Sequence, residues 1–241
     1  MNILLYSSGV DSFIAYYYLK EELNIKPVPV FFDIGHRYSE VELYYVQKYR
    51  PETKVIYGTS FGEDLEQLDA FIPNRNAILL LLADSYFYRP GIKSKSIFIG
   101  GLADDMVEDN NMKFTELMQE LLEFLNKIPV RVDSAFQYKL TKSEIVDWYV
   151  KYIGSIDELV EKTFSCYQPV TIALDDDYHC YSCPACFRRN VAFSNYVTLP
   201  FFNRKIIKEY KEKALSGYYP EQRNKQILHY INSLENELKI K

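Results

Sequence analysis

No stretch of the chain approaches the run of about 18 consecutive apolar residues that a membrane-spanning helix needs. A basic N-terminal region followed by an apolar one is also lacking, so no signal peptide is expected and the chain reads as cytoplasmic. Positive charge is not in excess: 28 Lys and Arg stand against 33 Asp and Glu, for a net charge of −5. That balance withholds the electrostatic footprint of a nucleic-acid-binding domain, and no direct nucleic-acid partner is expected. The most basic stretch, NRKIIKEYKEKAL, interleaves glutamates and reads as a solvated helix face. There is no internal repeat and no low-complexity linker. Neither the Walker A pattern nor G-x-G-x-x-G occurs, which removes two familiar routes to a bound nucleotide.

What remains is the composition of an ordinary globular protein, 48% hydrophobic and 25% charged over 241 residues. The 22 tyrosines read as amphipathic packing residues. The chain is long enough for one large domain, or a main domain with a small appendage. Short apolar runs alternate with helical periodicity through the first half. MNILLYS, KPVPVFFDIG, TKVIYGTS and SIFIGG read as strands. VDSFIAYYYLKEELN, SEVELYYVQKY, the apolar RNAILLLLADSYFYR and the surface-type FTELMQELLEFLNK read as helices. VRVDSAFQYKL is strand-like or extended. TKSEIVDWYVKYIG is a helix opened by Thr141 with Glu144 three residues on, a capping box. Repeated β-α-β units predict an α/β fold with a doubly wound parallel sheet. The division is expected near residue 160, with 1–160 as a nucleotide-binding domain and 161–241 as a metal-binding and helical region.

Ligands bind such sheets at the carboxyl ends of the strands. YSSGVDS, FDIGHR and IGGLADD all follow predicted strands, so three polar loops converge on one edge. The bland reading of YSSGVDS is a strand-to-helix turn, with Gly9 bending the chain and Ser7, Ser8 or Asp11 capping the helix. Its functional reading is a nest of backbone N–H groups feeding a helix N-terminus, flanked by the hydroxyls of Ser7, Ser8 and Ser12 and suited to a pyrophosphate. Asp11 fits that site if it orients the loop or helps hold Mg2+ accompanying a triphosphate.

The cysteines are few and clustered: Cys166, then Cys180, Cys183 and Cys186 in a C-x2-C-x2-C run. In a cytoplasmic chain this grouping points to a metal. Four thiolates favour zinc and leave no open coordination position, so the ion is structural. An iron–sulfur cluster or unbound buried cysteines are the alternatives. His179, beside Cys180, is expected outside the coordinating set.

YSSGVDS resembles the S-G-G-x-D-S loop of the PP-loop ATP-pyrophosphatase superfamily, with Ser8 standing where that loop has glycine. More of the chain resembles its 7-cyano-7-deazaguanine synthase branch. FDIGHRYSEVE is similar to D-Y-G-Q-R-H-x-x-E (with His36 for the glutamine), PNRNAILLLLA to a P-x-R-N helix, and LTKSEIV to S-K-x-E-I-V. TFSCY followed by HCYSCPACFRRNVAF is similar to that family's cysteine-rich ending. IGGLADDMVEDN resembles a loop with a G-x-x-x-x-D run but lacks the tyrosine-proline-aspartate-cysteine string. The matches run in order from residue 3 to about residue 193.

The resemblance implies ATP-dependent conversion of 7-carboxy-7-deazaguanine and ammonia to 7-cyano-7-deazaguanine through an adenylated carboxylate, with ATP·Mg2+ as co-substrate, within queuosine-precursor biosynthesis. It places Ser7, Ser8, Gly9, Val10, Asp11 and Ser12 around the phosphates, with Asp33 at the ribose. Lys142 and Arg188 are the cations reaching the pyrophosphate. Arg75 and Asn76 stand at the substrate edge, and Asp104, Asp105 and Asp109 serve Mg2+ or the base. Asp11, Lys142 and Arg75 are the expected catalytic residues. Each has a structural reading beside it: Lys142 as a solvated helix start, Arg75 as an ion-pair partner, the aspartates as an acidic surface loop. A homodimer is compatible with this reading. The rival functions are the same adenylation aimed at a different acceptor, another PP-loop enzyme such as a tRNA thiolase, and a non-catalytic zinc-stabilised adapter.

Overall fold

The computed structural model describes residues 1–57, 60–171 and 177–240, and of 237–240 only the backbone. The chain forms two compact units, Met1–Leu140 and Thr141–Lys241. The division thus falls after Leu140 rather than near residue 160, because the helix at Lys142–Tyr152 packs on the one at Pro184–Phe193.

The first unit is built on five strands, β1 (Asn2–Leu5), β2 (Val28–Phe32), β3 (Lys54–Ile56), β4 (Lys95–Ile99) and β5 (Val130–Ser134). They form one sheet in the order β3-β2-β1-β4-β5, and every pairing is parallel. The connections carry α1 (Val10–Tyr17), α2 (Ser39–Tyr49), α3 (Phe61–Leu65) with α4 (Arg75–Tyr86), and α5 (Met112–Asn126). A π-helical turn, Tyr18–Glu22, extends α1. The predicted doubly wound α/β sheet is what forms.

Alternation along the strands sends residues to opposite faces. Ile3, Val30, Phe32, Ile97, Ile99, Val130 and Val132 enter one core with Leu80 and Ala83 of α4 and Met118 and Leu122 of α5. Leu4, Phe31 and Phe98, their neighbours on the opposite face, are also buried. Burial on both faces explains why the strands read as continuous apolar runs. Helix α4 is less buried than its apolar sequence predicts: Leu80, Ala83 and Asp84 are buried, whereas Leu81 is 37% exposed.

Two polar devices complete the sheet. On the open edge of β5, the Val130 and Val132 N–H groups donate to Glu123 Oε1 (3.3 Å) and Gln119 Oε1 (3.2 Å) of α5. Side chains thereby occupy donors that another strand would otherwise pair with. Lys95, the first residue of β4, is 2% exposed. Its ammonium pairs with the Asp84 carboxylate and donates to the Asp84 carbonyl (3.2 Å) and to Asn126 Oδ1 (3.1 Å). The Asn126 amide donates in turn to both Asp84 oxygens, at 3.1 and 3.0 Å.

The second unit contains α6 (Lys142–Tyr152), α7 (Ile156–Lys162), α8 (Pro184–Phe193), α9 (Arg204–Leu215) and α10 (Glu221–Ile240). The predicted capping box at Thr141 and Glu144 forms, and Ser155 with Glu158 makes a second. The expected mixed-charge face is present on α9 as the ion pairs Lys208–Glu212, Lys213–Glu209 and, reaching α10, Lys211–Glu235. Among the described residues, no helix is long and apolar enough to cross a membrane.

Removing one member of a buried ion pair strands the other charge, at a cost of about 3–5 kcal/mol. Lys95→Met, which keeps the apolar stem, is therefore expected to lower unfolding free energy by about that amount in urea titrations. A change below about 1 kcal/mol would show that Asp84 has another source of compensation.

Candidate functional site

Strand order reverses direction on either side of β1: β2 and β3 follow to one side, β4 and β5 to the other. The crevice at such a switch point, outside the strand ends, is where doubly wound sheets receive ligands. Residues 6–12 leave β1 there. Gly9 is the N-cap of α1, extended at φ −61° and ψ 153°, and no side chain caps the helix. The first-turn amides of Val10, Asp11 and Ser12 therefore lie at the positive end of the helix dipole, which favours an anion. The serine hydroxyls shape the turn. Ser12 Oγ accepts from Ser7 N–H (3.1 Å) and donates to the Gly9 carbonyl (3.2 Å), and Ser7 Oγ accepts from Gly9 N–H (3.3 Å). Gly100, just past β4, lets that strand end lie against the loop: a Cβ there would sit 3.1 Å from Asp11 Cβ.

Ser8 behaves differently from its neighbours. It is fully buried and sits in the left-handed region at φ 57°. That conformation costs a residue with a Cβ about 1–2 kcal/mol. Its hydroxyl turns inward and donates to the Tyr6 hydroxyl at 3.4 Å, so the serine does not narrow the mouth of the loop. Tyr6 is itself 2% exposed, and burial pushes its phenol above the ordinary range despite the nearby Arg50 cation.

The other sequence-predicted residues of the first unit lie on loops or helix starts that follow strands. Asp33 directly follows β2, and its carboxylate accepts from Gly35 N–H at 3.2 Å. Arg75 and Asn76 open α4. Arg75 donates to the Tyr38 hydroxyl at 3.3 Å. Asn76 joins the β4 loop, its backbone N–H reaching Asp109 Oδ2 (3.1 Å) and its amide the Asp109 carbonyl (2.8 Å). Asp105 organises the same loop, accepting from Leu102 N–H (2.9 Å) and the Asn110 amide (2.6 Å). Asp104 is buried beside it, whereas Met106 and Val107 are 54% and 48% exposed.

Several residues without a motif of their own fasten these loops. Arg37 grips the turn after α3, donating from its backbone N–H (2.9 Å) and Nε (2.7 Å) to Glu66 and from its guanidinium to the Gln67 and Leu68 carbonyls. Buried His36 holds Ser39 Oγ (2.8 Å) and Glu42 Oε2 (3.1 Å) with its two ring nitrogens. Tyr138 packs under Gly101, where a Cβ would meet its ring at 2.5 Å. Burial pushes the Tyr138 phenol up to about 12.

In the second unit Lys142 is the first residue of α6. Arg188 of α8 donates to the Tyr167 (3.1 Å) and Tyr210 (3.5 Å) hydroxyls. The four cysteines converge: their Sγ atoms all lie within 4.8 Å of one another, with Cys166–Cys183 and Cys180–Cys186 at 3.9 Å. Zn–S bonds of about 2.3 Å in a tetrahedron put sulfurs about 3.8 Å apart, so the set fits zinc. Disulfides are excluded by these separations. Backbone N–H groups of Gln168 and Cys180 approach Cys166 Sγ at 3.3 and 3.4 Å, and that of Cys186 approaches Cys183 Sγ at 3.4 Å, donors that favour thiolates. Cys183 is also the N-cap of α8, so the cluster sits on a helix N-terminus. Hydrogen bonding among the sulfurs divides the set: it brings the Cys180 thiol down to about 7 and Cys183 down as well, and pushes those of Cys166 and Cys186 up. His179 is committed elsewhere: Nδ1 meets Asp177 Oδ1 at 2.8 Å and Nε2 accepts from Ser165 N–H at 3.3 Å. Its expected place outside the coordinating set is what the geometry shows.

The family model described as queuosine biosynthesis protein QueC matches residues 52–197. Curated proteins named 7-cyano-7-deazaguanine synthase are similar to the chain. That of Helicobacter pylori (strain J99) is 24% identical over 142 residues, 58% of this chain and 62% of the relative. That of Methanococcus maripaludis (strain C6) is 32% identical over 128 residues, 51% and 52% of the two chains. 7-cyano-7-deazaguanine synthase 1 of Desulfitobacterium hafniense is 26% identical over 216 residues, 79% and 90%. In the first two, the matched segment spans less than two thirds of the relative.

Two measurements test this geometry. Purified protein is expected to hold about one zinc per chain, and Cys183→Ser to lose it along with the folding of the loop around Cys166. Metal analysis and near-UV circular dichroism check both; full zinc retention by the variant would refute a four-thiolate site. Tyr138 supplies a pH test. Its folded-state pKa, about 12, is raised above the unfolded value near 10, so its contribution is complete below pH 10 and vanishes as pH rises through 12. Urea titrations at pH 9 and pH 12 are expected to differ by up to about 2 kcal/mol more in the native protein than in Tyr138→Phe.

Proposed function

The chain belongs to the QueC family, and on that premise we propose that it activates a carboxylate with ATP and converts it with ammonia to a nitrile. The substrate we assign is 7-carboxy-7-deazaguanine and the product 7-cyano-7-deazaguanine. The observation that carries this reading is the uncapped N-terminus of α1 at the sheet's switch point, where hydroxyls and backbone donors surround the turn.

The chemistry follows from leaving groups. A carboxylate expels oxide poorly. Attack of its oxygen on the α-phosphorus of ATP releases pyrophosphate and leaves an acyl-adenylate, from which AMP departs readily. Ammonia displaces AMP to give the amide. A second adenylation, on the amide oxygen, followed by loss of AMP and two protons, gives the nitrile. The protein's share is to position reactants and offset charge developing on the phosphates.

In this reading the N–H groups of Val10, Asp11 and Ser12 receive the pyrophosphate, with the Ser7 and Ser12 hydroxyls turning from each other toward it. Ser8 contributes through its backbone. Asp11 would hold the Mg2+ that neutralises a triphosphate, and Asp33 would meet the ribose. Lys142 and Arg188 are assigned as cations by the resemblance alone; the Arg188 guanidinium also donates to two phenols. Arg75 and Asn76 would face the base. Zinc, when bound, braces the cysteine segment and takes no part in the reaction.

One observation favours a second reading, the same activation aimed at a different acceptor. Asp105 and Asp109 commit carboxylate oxygens to hydrogen bonds with their own loop and the start of α4, while Met106 and Val107 project from that loop.

Incubation with ATP, Mg2+, ammonium and 7-carboxy-7-deazaguanine, followed by mass spectrometry, is expected to show amide and nitrile. Asp11→Ala and Lys142→Ala are each expected to lower the rate by at least about a hundredfold, the scale for losing a group that stabilises transition-state charge. Pyrophosphate release without nitrile would favour the second reading, and no adenylation of any carboxylate would refute both.

A further inference from the structure

Arg50 belongs to none of the motifs described above and Tyr6 only opens YSSGVDS without a role assigned to it, yet both stand beside the turn that follows β1. Arg50, at the C-terminal end of α2, is 5% exposed. Its guanidinium lies 3.6 Å from the centre of the Tyr16 ring and within 5.1 to 5.8 Å of those of Tyr17, Tyr6 and Phe13. Its charge also acts on the Tyr6 and Tyr17 phenols, and NH1 meets Glu52 Oε1 at 2.9 Å. One buried cation thereby ties the end of α2 to the end of β1 and to one face of α1.

The Tyr6 oxygen is the next link. It accepts from Ser8 Oγ, while the Arg50 guanidinium lies against the same residue, 5.4 Å from the centre of its ring. Ser8 is the residue that needs such help. Glycine adopts the left-handed conformation without strain, but Ser8 holds it at φ 57° with a Cβ in place. Its hydroxyl is buried, so the acceptor that satisfies it decides which way the residue faces. Turning inward, Ser8 keeps its side chain out of the mouth of the loop and fixes the peptide that leads into Gly9.

We propose that Arg50, Tyr6 and Ser8 form an internal latch that holds the phosphate loop in its anion-receiving conformation before nucleotide arrives. Tyr6 and Arg50 are then positioning residues that never touch the ligand. The latch offsets the strain of a serine where the backbone calls for glycine, and it couples two substitutions that would otherwise be independent. Its consequence for ligand binding rests on the proposed ATP site, because apparent affinity falls with the fraction of molecules whose loop is competent.

The test is a double-mutant cycle read in two ways. Backbone hydrogen exchange of the Gly9, Val10 and Asp11 amides, without ligand, reports the latch itself. The dissociation constant of ATP·Mg2+, by calorimetry, reports its use. Tyr6→Phe keeps the ring and removes only the acceptor. It is expected to speed exchange and weaken ATP by about five- to tenfold, the range for one lost buried hydrogen bond. In a Ser8→Gly background, where no hydroxyl remains to be held, the same Tyr6→Phe change is expected to move either readout less than about twofold. Arg50→Lys, which keeps the charge without the planar fork, is expected to speed exchange of the same amides.

Equal effects of Tyr6→Phe on exchange in the native and Ser8→Gly backgrounds would overturn the latch and reduce Tyr6 to packing. Unchanged exchange in Arg50→Lys would remove Arg50 from it. Coupled exchange in a protein that binds no ATP would leave the latch standing and refute the proposed nucleotide site instead.

Discussion

A helix that begins without a side-chain cap, at the point where the sheet changes direction, is the constraint on which the site depends. Helix starts ordinarily satisfy their first amides with a serine, threonine, asparagine or aspartate. At α1 the N-cap is Gly9, although serines stand on either side of the turn. Those serines bond to each other and to the loop backbone, so the turn is shaped by hydroxyls while no side chain caps the helix. The central position of β1 places this turn between the loops of β2 and β4, which the parallel sheet brings to the same edge.

The polar residues around that crevice are occupied mainly in fixing it. Arg37 spans two loops, Asn76 joins the start of α4 to the β4 loop through Asp109, and Asp105 closes that loop upon itself. Loops carry more mobility than the elements they connect unless such contacts tie them down. A site whose chemistry consists of positioning gains most from this kind of bracing, since displacements of an ångström are costly there. The acidic appearance of the β4 loop therefore overstates the charge it offers outward.

The second unit solves a different problem by a similar route. Among the described residues between α7 and α8 there is little regular structure, and four sulfurs placed to hold a metal gather at the N-terminus of α8, whose Phe187 packs on Phe201, Tyr210 and Tyr230. Asp177 and Ser165 hold His179 out of the sulfur set. The same pattern recurs at Lys95 and Asp84: a costly buried group is retained because every hydrogen-bonding direction around it has a partner.

Much of this was legible in the chain of residues. Apolar runs and helical periodicity gave the elements in order, including both faces of a buried parallel sheet, because hydrophobic period is a local property. The thiolate set followed from spacing, and the capping box at Thr141 and Glu144 from a four-residue pattern. What sequence could not reveal were pairings between residues distant along the chain: Arg50 with Tyr6, Asn76 with Asp109, Lys95 with Asp84 and Asn126. Nor could it show that Ser8 points inward, since direction there depends on which acceptor the folded core presents. Local pattern determined the strands, the helices and the cysteine cluster by itself. Only the tertiary structure, by setting strand order and bringing remote polar groups within hydrogen-bonding distance, decided which polar residues hold which others in place.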